Sequence, residues 1–437
     1  MIRRLRELAR RPLARNILLL YVVRIVSQLL PLATIPYLAR ILGPSEWGMV
    51  AVAQAFSMYG IITIHYGFDM AATREVARQR HDPAPLGDLM GAILACQLLL
   101  SGLVAGAAYL ALQLVPIFEE QPLLLGAALV FAIVQGVCLS WYFTGTEQIP
   151  LMAAIDLPTK LVSLIAIFVL VDGPGDGWCV LAVYAGAASL ATGIGFAIVL
   201  RHIRPKWPGL ARVRETFKMG FSLFLMQISN LINTAGSVFL VSFLASPQQV
   251  AYFAAPDKLA RPLAWLTEPI NRVLLPRISH LLVHRSDQAY AMARITLLLL
   301  SVVGLGLSIL VMLLAPWLIG LVFGAGYEEA APVLRVLALV IPLIIINDAL
   351  AAQWLVPHGL DRPLGLTVLL AAGLAVALAL LIVPTYEAIG MAWVTVVVEL
   401  FILAGLVLAL VRHHHGVLAG RAISAAERRL AASHRPS

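Results

Sequence analysis

The chain has 437 residues, of which 61% are hydrophobic and 12% are charged, and its formal net charge is +8. A soluble domain is about half apolar and about a quarter charged, so this composition, with a mean hydropathy of +0.91, excludes that class. It predicts a polytopic helical membrane protein, because the alternating segments that build a membrane β-barrel are not visible.

The positions of the charges and cysteines exclude further classes. The basic residues lie in short loops between apolar segments, as membrane insertion requires, so they do not indicate nucleic-acid binding. The cysteines have neither metal-site spacing nor the pattern of a disulfide framework: Cys96, Cys138 and Cys179. The basic start, MIRRLRELARRPLARN, runs into an apolar segment that is too long for a signal peptide, so we expect the first helix to be retained.

Twelve apolar segments are long enough to cross a membrane, which takes about 20 helical residues. Segments that exceed the bilayer thickness can tilt or extend into the cytoplasm. We therefore predict an all-α polytopic protein with about 12 transmembrane helices. The predicted spans are residues 16–40, 47–68, 85–115, 121–143, 149–171, 178–200, 218–244, 249–279, 290–323, 330–356, 361–384 and 387–411.

Basic loops alternate with neutral or acidic loops along the chain. The basic set consists of Arg3, Arg4, Arg6, Arg10, Arg11, Arg15, Arg74, Arg78, Arg80, six residues between 201 and 218, Arg277, Arg285, Arg294 and the arginines after span 12. The other loops are GPSEW, FEEQ, DGPGDG, ASPQQ, GAGYEE and PTYE. Because cytoplasmic loops carry an excess of Lys and Arg, both termini are predicted to be cytoplasmic.

A short internal repeat relates the two halves of the chain at an offset of 202 residues. VSQLL at 26–30 resembles ISNLI at 228–232, and ILGPSEWGMVAVA at 41–53 lies over FLASPQQVAYFAA at 243–255. Six predicted spans separate the copies, so both enter the membrane from the same side, as in a parallel repeat. Chance similarity between apolar helices is the alternative.

The repeat predicts two six-helix lobes related by a pseudo-two-fold axis along the membrane normal. Ser27 and Gln28 align with Ser229 and Asn230, whereas Arg24 aligns with an apolar residue. The predicted organisation is an N-terminal lobe (1–200, spans 1–6), a basic cytoplasmic connector (201–217), a C-terminal lobe (218–411, spans 7–12) and a basic cytoplasmic tail (412–437).

Ionisable side chains are costly within a membrane and usually face a partner or a water-filled cavity. The sequence of the eighth span is AAPDKLARPLAWLTEPINRVLLPR. Its spacing places four charged side chains and one tryptophan on one helix face: Asp257, Arg261, Trp265, Glu268 and Arg272. Three prolines remove backbone donors and predict a bend: Pro256, Pro262 and Pro269. A bent, charged helix indicates a hydrated cavity.

Two interpretations of the charged residues remain open. Three acid–base pairs are spaced four residues apart and can be self-contained: Asp156–Lys160, Asp257–Arg261 and Glu268–Arg272. Arg24 has no acid in its own span, and it lies about 13 Å along the helix from Arg15, a long reach for snorkelling, so we favour a cavity-facing Arg24. Guanidinium groups bind phosphate through two hydrogen bonds, which predicts an anionic, phosphate-bearing substrate.

Three segments resemble bacterial polysaccharide flippases of the Wzx type. NILLLYVVRIVSQLLPLATIPYLARILGPSEWG resembles their first helix and turn, YGFDMAATREVARQR their second-helix exit, and FGAGYEEAAPVLRVLAL their entry to span 10. The resemblance extends from span 1 to span 12. It implies membership of the multidrug/oligosaccharidyl-lipid/polysaccharide (MOP) exporter superfamily, whose members have two six-helix lobes around a central cavity and work by alternating access.

The resemblance also implies a cargo, an undecaprenyl-pyrophosphate-linked oligosaccharide. It would move from the cytoplasmic to the periplasmic leaflet of the inner membrane for O-antigen, exopolysaccharide or capsule biosynthesis. Cationic cavity residues are typical of the family, and the positions that fit are Arg24, Lys258, Arg261 and Arg272. The polar cavity residues expected beside them are Ser27, Gln28, Gln227 and Asn230. A polysaccharide polymerase and a chain-length regulator are candidate partners, and no cofactor, metal or nucleic acid is expected.

Cation-coupled multidrug and toxin exporters of the same superfamily are the first alternative, because they use cavity acids to couple ion flow. A proton or sodium ion could be carried here by any of several acids, and the sequence selects none of them: Asp156, Asp257, Glu268, Asp348 and Glu399. Lipid II flippases usually have more spans than the twelve that this chain accommodates.

An enzyme, such as a membrane glycosyltransferase or polysaccharide polymerase, is the alternative from a different class. Such enzymes usually carry a long loop with clustered acids or histidines, whereas the longest loop here is the basic one at 201–217. The run His413–His415 is interpreted as a solvated segment next to the membrane. Since no Walker A sequence is present, we expect no ATP hydrolysis by this chain.

Overall fold

A computed structural model describes residues 12–79, 83–114, 116–234 and 236–413, and every element assigned in these ranges is helical. For residues 12–32, 83–84, 116, 229–230, 232–234 and 283 only the backbone is described. The contacts divide the chain into two compact units. The first unit comprises Met1–Ala251 with Val322–Gly326, and the second comprises Tyr252–Leu321 with Tyr327–Ser437.

Helices α1 to α10 belong to the first unit. They are α1 (Pro12–His65), α2 (Phe68–Gln79), α3 (Pro83–Leu114), α4 (Pro116–Glu120), α5 (Pro122–Gly136), α6 (Ser140–Gly145), α7 (Ile149–Leu170), α8 (Gly177–Leu200), α9 (Leu210–Thr234) and α10 (Gly236–Leu244). The long α1 contains one non-helical residue, Gly43, with φ 72° and ψ 172°. The predicted spans 16–40 and 47–68 therefore lie on either side of a kink at the predicted turn.

Helix α11 (Pro247–Trp265) starts in the first unit and continues into the second. It is followed by α12 (Glu268–His284), α13 (Ser286–Val322), α14 (Ala330–Ala338), α15 (Val340–Leu350), a π-helical turn (Ala351–Leu355), a 3₁₀ turn (Val356–His358) and α16 (Asp361–Arg412). Helix α16 covers the last two predicted spans, and its one non-helical residue, Glu387, has φ 47° and ψ −130°.

Eight helical stretches in the described part of the chain are long and apolar enough to cross a membrane. Asp361–Arg412 covers two predicted spans, and Ala33–Gln79 covers the span 47–68 together with the end of the span 16–40. Helix α13 shows the lipid-facing pattern, since large apolar side chains such as Leu298, Leu299 and Leu313 are exposed. The protein is thus a multi-pass membrane protein, and the number of crossings stays a prediction.

Small residues allow helices to pack closely inside the first unit. A β-carbon at Gly136, at the end of α5, would lie 2.7 Å from the β-carbon of Ile64 on α1. A β-carbon at Gly145, at the end of α6, would lie 2.7 Å from the β-carbon of Val76 on α2. Both distances are shorter than van der Waals contact, so only glycine permits these approaches. The carboxyl-terminal ends of α5 and α6 are therefore fixed against α1 and α2.

The predicted bend of span 8 lies between α11 and α12. Helix α11 ends at Trp265 and α12 begins at Glu268, while Pro256 and Pro262 remain inside α11. Pro269 occupies the first turn of α12, where a missing N–H removes no helical hydrogen bond. Of the three prolines, Pro269 therefore coincides with the break, and the other two are accommodated within a continuous helix.

Candidate functional site

A buried ion pair lies on α11 in the second unit. Arg261 Nε donates a hydrogen bond to Asp257 Oδ1 at 2.6 Å, across one helical turn. Arg261 is only 5% exposed, and Asp257 is buried as well. The pairing of Asp257 with Arg261, which the sequence left open, is thus present in the structure.

Arg261 keeps hydrogen-bonding capacity after this pairing. Its Nη2 is buried and has no hydrogen-bond partner among the residues that the structure describes. A buried unsatisfied donor costs about 1–3 kcal/mol, and more when it is charged. The guanidinium group therefore has a free donor in a desolvated place, which suits an anionic ligand.

A carboxylate and an amide on neighbouring helices form a second buried group in the same unit. Asn347 Nδ2, on α15, donates to Glu399 Oε2 at 2.8 Å and to the Glu399 backbone oxygen at 3.1 Å, on α16. Glu399 is 8% exposed, and Asn347 Oδ1 is buried without a donor from any described residue. Arg261 lies close enough to Glu399 to act on it electrostatically.

A further predicted ion-coupling acid, Asp348, lies near Glu399. Asp348 follows Asn347 on α15, is exposed, and lies within electrostatic range of both Glu399 and Glu268. The second unit therefore brings Asp257, Glu268, Asp348 and Glu399 into one region with Arg261. No group of three or more His, Cys, Asp or Glu side chains in the described ranges has a metal-binding arrangement.

A buried amide pair borders this region and was not identified from the sequence. Gln353 Nε2 donates to Asn271 Oδ1 at 2.8 Å, and both residues are buried. Gln353 lies in the π-helical turn Ala351–Leu355, a rare element that is frequent at functional sites. Amides inside apolar segments were the available signal, but their pairing depends on residues 82 positions apart.

The remaining predicted cations of the second unit are arranged differently. Arg272 forms an ion pair with Glu268 on α12, and both side chains are half exposed. Lys258 is half-buried and lies within electrostatic range of Asp257. Trp265 is exposed at the end of α11. Arg261 is thus the buried member of the predicted cation set among the side chains that the structure describes.

Among the side chains that the structure describes, the predicted site residues of the first unit do not form a comparable cluster. Lys160 Nζ lies 2.9 Å from Asp156 Oδ2, and these side chains are 39% and 41% exposed. Gln227 is half-buried on α9. The side chains of the other four predicted residues lie outside the described part of the chain: Arg24, Ser27, Gln28 and Asn230.

Comparison with known proteins identifies the family. Residues 13–282 match the family model described as "Polysaccharide biosynthesis protein". The chain belongs to the polysaccharide biosynthesis protein family. Two relatives are each named "Putative O-antigen transporter". The Escherichia coli (strain K12) relative is 26% identical over 92% of this chain and 97% of its own length. The Shigella dysenteriae relative is 27% identical over 86% of this chain and 94% of its own length.

Solved structures show which fold this family member adopts. A lipid II flippase, MurJ, in an inward closed conformation matches with a TM-score of 0.73 and 13% identity, over 90% of this chain and 87% of that chain. An inward-facing multidrug resistance MATE family transporter of the MOP superfamily matches with a TM-score of 0.63 and 17% identity. This match covers 90% of this chain and 97% of that chain. These matches show that the chain shares the fold of these two proteins. The family match and the two named relatives confirm the resemblance predicted from the sequence.

Proposed function

We propose that this polysaccharide biosynthesis protein is a flippase for an undecaprenyl-pyrophosphate-linked oligosaccharide. The cargo moves from the cytoplasmic to the periplasmic leaflet by alternating access and enters O-antigen, exopolysaccharide or capsule synthesis. The observation that carries the proposal is the similarity, over 92% of the chain, to a relative named "Putative O-antigen transporter". A transporter also agrees better with these relatives than a polymerase or glycosyltransferase does.

The proposed ligand for the anionic head group is Arg261. Its buried Nη2 lacks a partner among the described residues, so a phosphate oxygen could accept a hydrogen bond there. Arg24, Lys258 and Arg272 are proposed as the other cations that meet the pyrophosphate. Ser27, Gln28, Gln227 and Asn230 are proposed as polar contacts of the cargo.

The proposed membrane arrangement follows the predicted topology. Twelve spans form two lobes, 1–200 and 218–411, in the inner membrane of a bacterium. Both termini lie in the cytoplasm. The alternation of basic and non-basic loops supports this orientation. A polysaccharide polymerase and a chain-length regulator are proposed as further partners, because they act on the product of flipping.

Transport is proposed to be coupled to a proton or a sodium ion at Glu399 and Asp348. The support is that the buried Glu399 has its amide partner Asn347 with Asp348 next to it, and that Asn347 Oδ1 accepts no hydrogen bond from the described residues. A cation entering this group would meet several oxygen atoms. Imposing a pH gradient or a sodium gradient across proteoliposomes separately would identify the ion.

A cation-coupled multidrug or toxin exporter is the second candidate function. The specific observation in its favour is the same group of carboxylates, which could couple ion flow to the export of a drug. A coupling site alone does not identify the cargo. The two candidates differ in substrate. An exporter would move cationic dyes out of proteoliposomes, and a flippase would change the leaflet of a lipid-linked glycan.

The decisive experiment is reconstituted flipping. Proteoliposomes would contain the purified chain and a polyprenyl-pyrophosphate oligosaccharide, and a membrane-impermeant glycosidase would measure the glycan exposed at the outer leaflet. We expect the wild type to expose the glycan beyond the half that empty liposomes show, and Arg261→Ala to remove this gain. Arg212→Ala is the matched control, because Arg212 forms an exposed pair with Glu215. No gain with the wild type across a panel of glycans would refute the flippase proposal.

A further inference from the structure

The α8–α9 junction, which comprises residues 201–218, carries the two most exposed large apolar side chains that the structure describes. Trp207 is 84% exposed, and Leu210, the first residue of α9, is 89% exposed. Neither lies in a helical stretch that is long and apolar enough to cross a membrane. Contact with acyl chains along a transmembrane helix therefore does not explain their exposure, which points to a separate partner.

The backbone of the junction is packed against α3 in the first unit. The Lys206 N–H donates to Gly87 O at 3.1 Å, and Lys206 Nζ lies 3.2 Å from Asp88 Oδ1. A β-carbon at Gly91 would lie 1.8 Å from Lys206 O, so only glycine permits this approach. Trp207 follows directly on this anchored backbone. Its exposure is therefore a property of a segment that is held in place.

The helices that flank the junction place it at the edge of the apolar part of the membrane. Helix α8 is apolar enough to cross a membrane, and its last residue, Leu200, is still exposed where Arg201 follows. On α3, the contact positions Gly87 and Gly91 precede the first exposed large apolar side chain, Leu98. The apolar core of a bilayer is bounded by a headgroup layer on each side. The junction therefore lies at the level of that layer.

The charge of the junction complements an anionic surface. Glu215 is its one acidic residue, whereas six basic side chains are exposed: Arg201, Arg204, Lys206, Arg212, Arg214 and Lys218. Two of these are paired, Lys206 with Asp88 and Arg212 with Glu215. The other four have no acidic partner among the described residues. Leu210, Arg214 and Lys218 are spaced by four residues and share one face of α9.

We propose that the α8–α9 junction is a binding surface for anionic phospholipid headgroups. Trp207 and Leu210 enter the headgroup layer, where an indole has both apolar and polar surroundings. The four basic side chains without an acidic partner contact lipid phosphates, as clusters of Lys and Arg next to a transmembrane helix do. A zwitterionic lipid carries its own cation, so it leaves the excess positive charge of the junction unmatched. The surface therefore prefers lipids with a net negative charge.

This lipid is distinct from the cargo of the proposed flippase. The junction binds the surrounding bilayer through an outer surface, whereas the cargo is proposed to meet Arg261. The two proposals are therefore tested separately, and the measurements on the junction require no transport. A soluble protein with an acidic surface would meet the same charges. Lipid is favoured because the junction lies next to apolar side chains of α3 and α8 that are exposed and that a bilayer covers.

The first test measures whether Trp207 lies among headgroups. The full-length chain is reconstituted in phosphatidylglycerol nanodiscs that contain a lipid with a nitroxide on its headgroup, which quenches nearby indoles. The chain has eight tryptophans, so the difference between the wild type and Trp207→Phe isolates the fluorescence of Trp207. We expect the nitroxide lipid to quench this fluorescence at least about twofold, because an indole in the headgroup layer is in contact with the label. Unquenched Trp207 fluorescence would overturn the proposal, since the side chain would then face water or a soluble partner.

The second test measures the lipid preference. Electron paramagnetic resonance of acyl-chain spin-labelled lipids gives the fraction that is immobilised by the protein, for phosphatidylglycerol and for phosphatidylcholine. We expect phosphatidylglycerol to be immobilised more, and the preference to fall at high salt because the charges are exposed. The Arg201→Gln/Arg204→Gln/Arg214→Gln variant should lose at least about half of the preference, since each basic group near the surface attracts anionic lipid.

Arg212→Gln/Glu215→Gln is the matched control for this variant. It removes an ion pair from the same junction, and the net charge stays unchanged. We expect the control to keep the wild-type preference. Thermal unfolding in detergent checks that both variants are folded. A wild-type preference in the folded triple variant, or an equal loss in the control, would overturn the assignment of the junction as the anionic-lipid surface.

Discussion

Two acid–base pairs with the same spacing have different environments in this protein. Asp156 and Lys160 on α7 are separated by four residues, as are Asp257 and Arg261 on α11, and each pair is in contact. The first pair is about two-fifths exposed, and the second is buried with a donor left unsatisfied by the described residues. The four-residue spacing therefore indicates that a pair can form, whereas burial determines whether the pair keeps an unsatisfied donor that a ligand could use.

The largest effect is expected from breaking the buried pair. Arg261→Ala leaves the buried carboxylate of Asp257 without its cation, which costs about 3–5 kcal/mol of stability in comparable pairs. It also removes the proposed phosphate ligand. We expect loss of surface polysaccharide in a flippase-deficient strain, with the protein level checked by immunoblot of membranes.

Arg261→Lys separates stability from binding in that experiment. Lysine keeps the charge beside Asp257 but lacks the planar fork that donates two hydrogen bonds to phosphate. We expect the variant to insert and to remain poorly active. Normal polysaccharide from Arg261→Ala would contradict the proposed binding role.

A second large effect is expected at Arg24, whose side chain lies outside the described part of the chain. Arg24→Ala should abolish surface polysaccharide while the protein still inserts, because the proposed site would lose a cation. Complementation of the same strain measures the effect. A normal polysaccharide level with Arg24→Ala would instead favour the snorkelling interpretation, in which the side chain is dispensable for transport.

An intermediate effect is expected at the proposed coupling group. Glu399→Gln preserves the hydrogen-bonding shape next to Asn347 but removes the titratable carboxylate. We expect flipping in proteoliposomes to lose its dependence on an imposed proton or sodium gradient, while binding of the lipid-linked glycan persists. Gradient-driven flipping equal to that of the wild type would exclude Glu399 as the coupling residue, and Asp348→Asn would then be tested in the same way.

The smallest effect is expected from the exposed pair. Lys160→Met should change the free energy of unfolding by no more than about 0.5 kcal/mol, because exposed pairs of this spacing contribute little. Flipping should stay at the wild-type level. Thermal unfolding in detergent and the proteoliposome assay measure the two quantities. A loss of flipping here as large as that of Arg261→Ala would remove the distinction between the two pairs.

The sequence predicted those features that depend on neighbouring residues. The apolar segments predicted helices. The four-residue spacing identified the three acid–base pairs as one of two open interpretations, because such pairing is a local property of a helix. The prolines of span 8 predicted a bend, but its position at Leu266 and Thr267 depended on where α12 could start.

Features that join distant segments were not predictable in this way. The contacts of Asn347 with Glu399 and of Gln353 with Asn271 depend on how α12, α15 and α16 pack, and no local pattern encodes that packing. The apolar periodicity of the sequence likewise does not indicate the π-helical turn at Ala351–Leu355. The grouping of the candidate acids in the second unit therefore required the structure, although each acid was recognised singly.

The close approach of Gly136 to Ile64 has a practical consequence for measuring transport. Helices that lack room for even one additional carbon atom between them cannot slide past one another without separating. Spectroscopic labels on the outward faces of α1 and α5 near this contact should therefore keep one distance throughout the transport cycle. Such a pair would serve as an internal ruler, against which distance changes elsewhere in the molecule could be calibrated in the same sample.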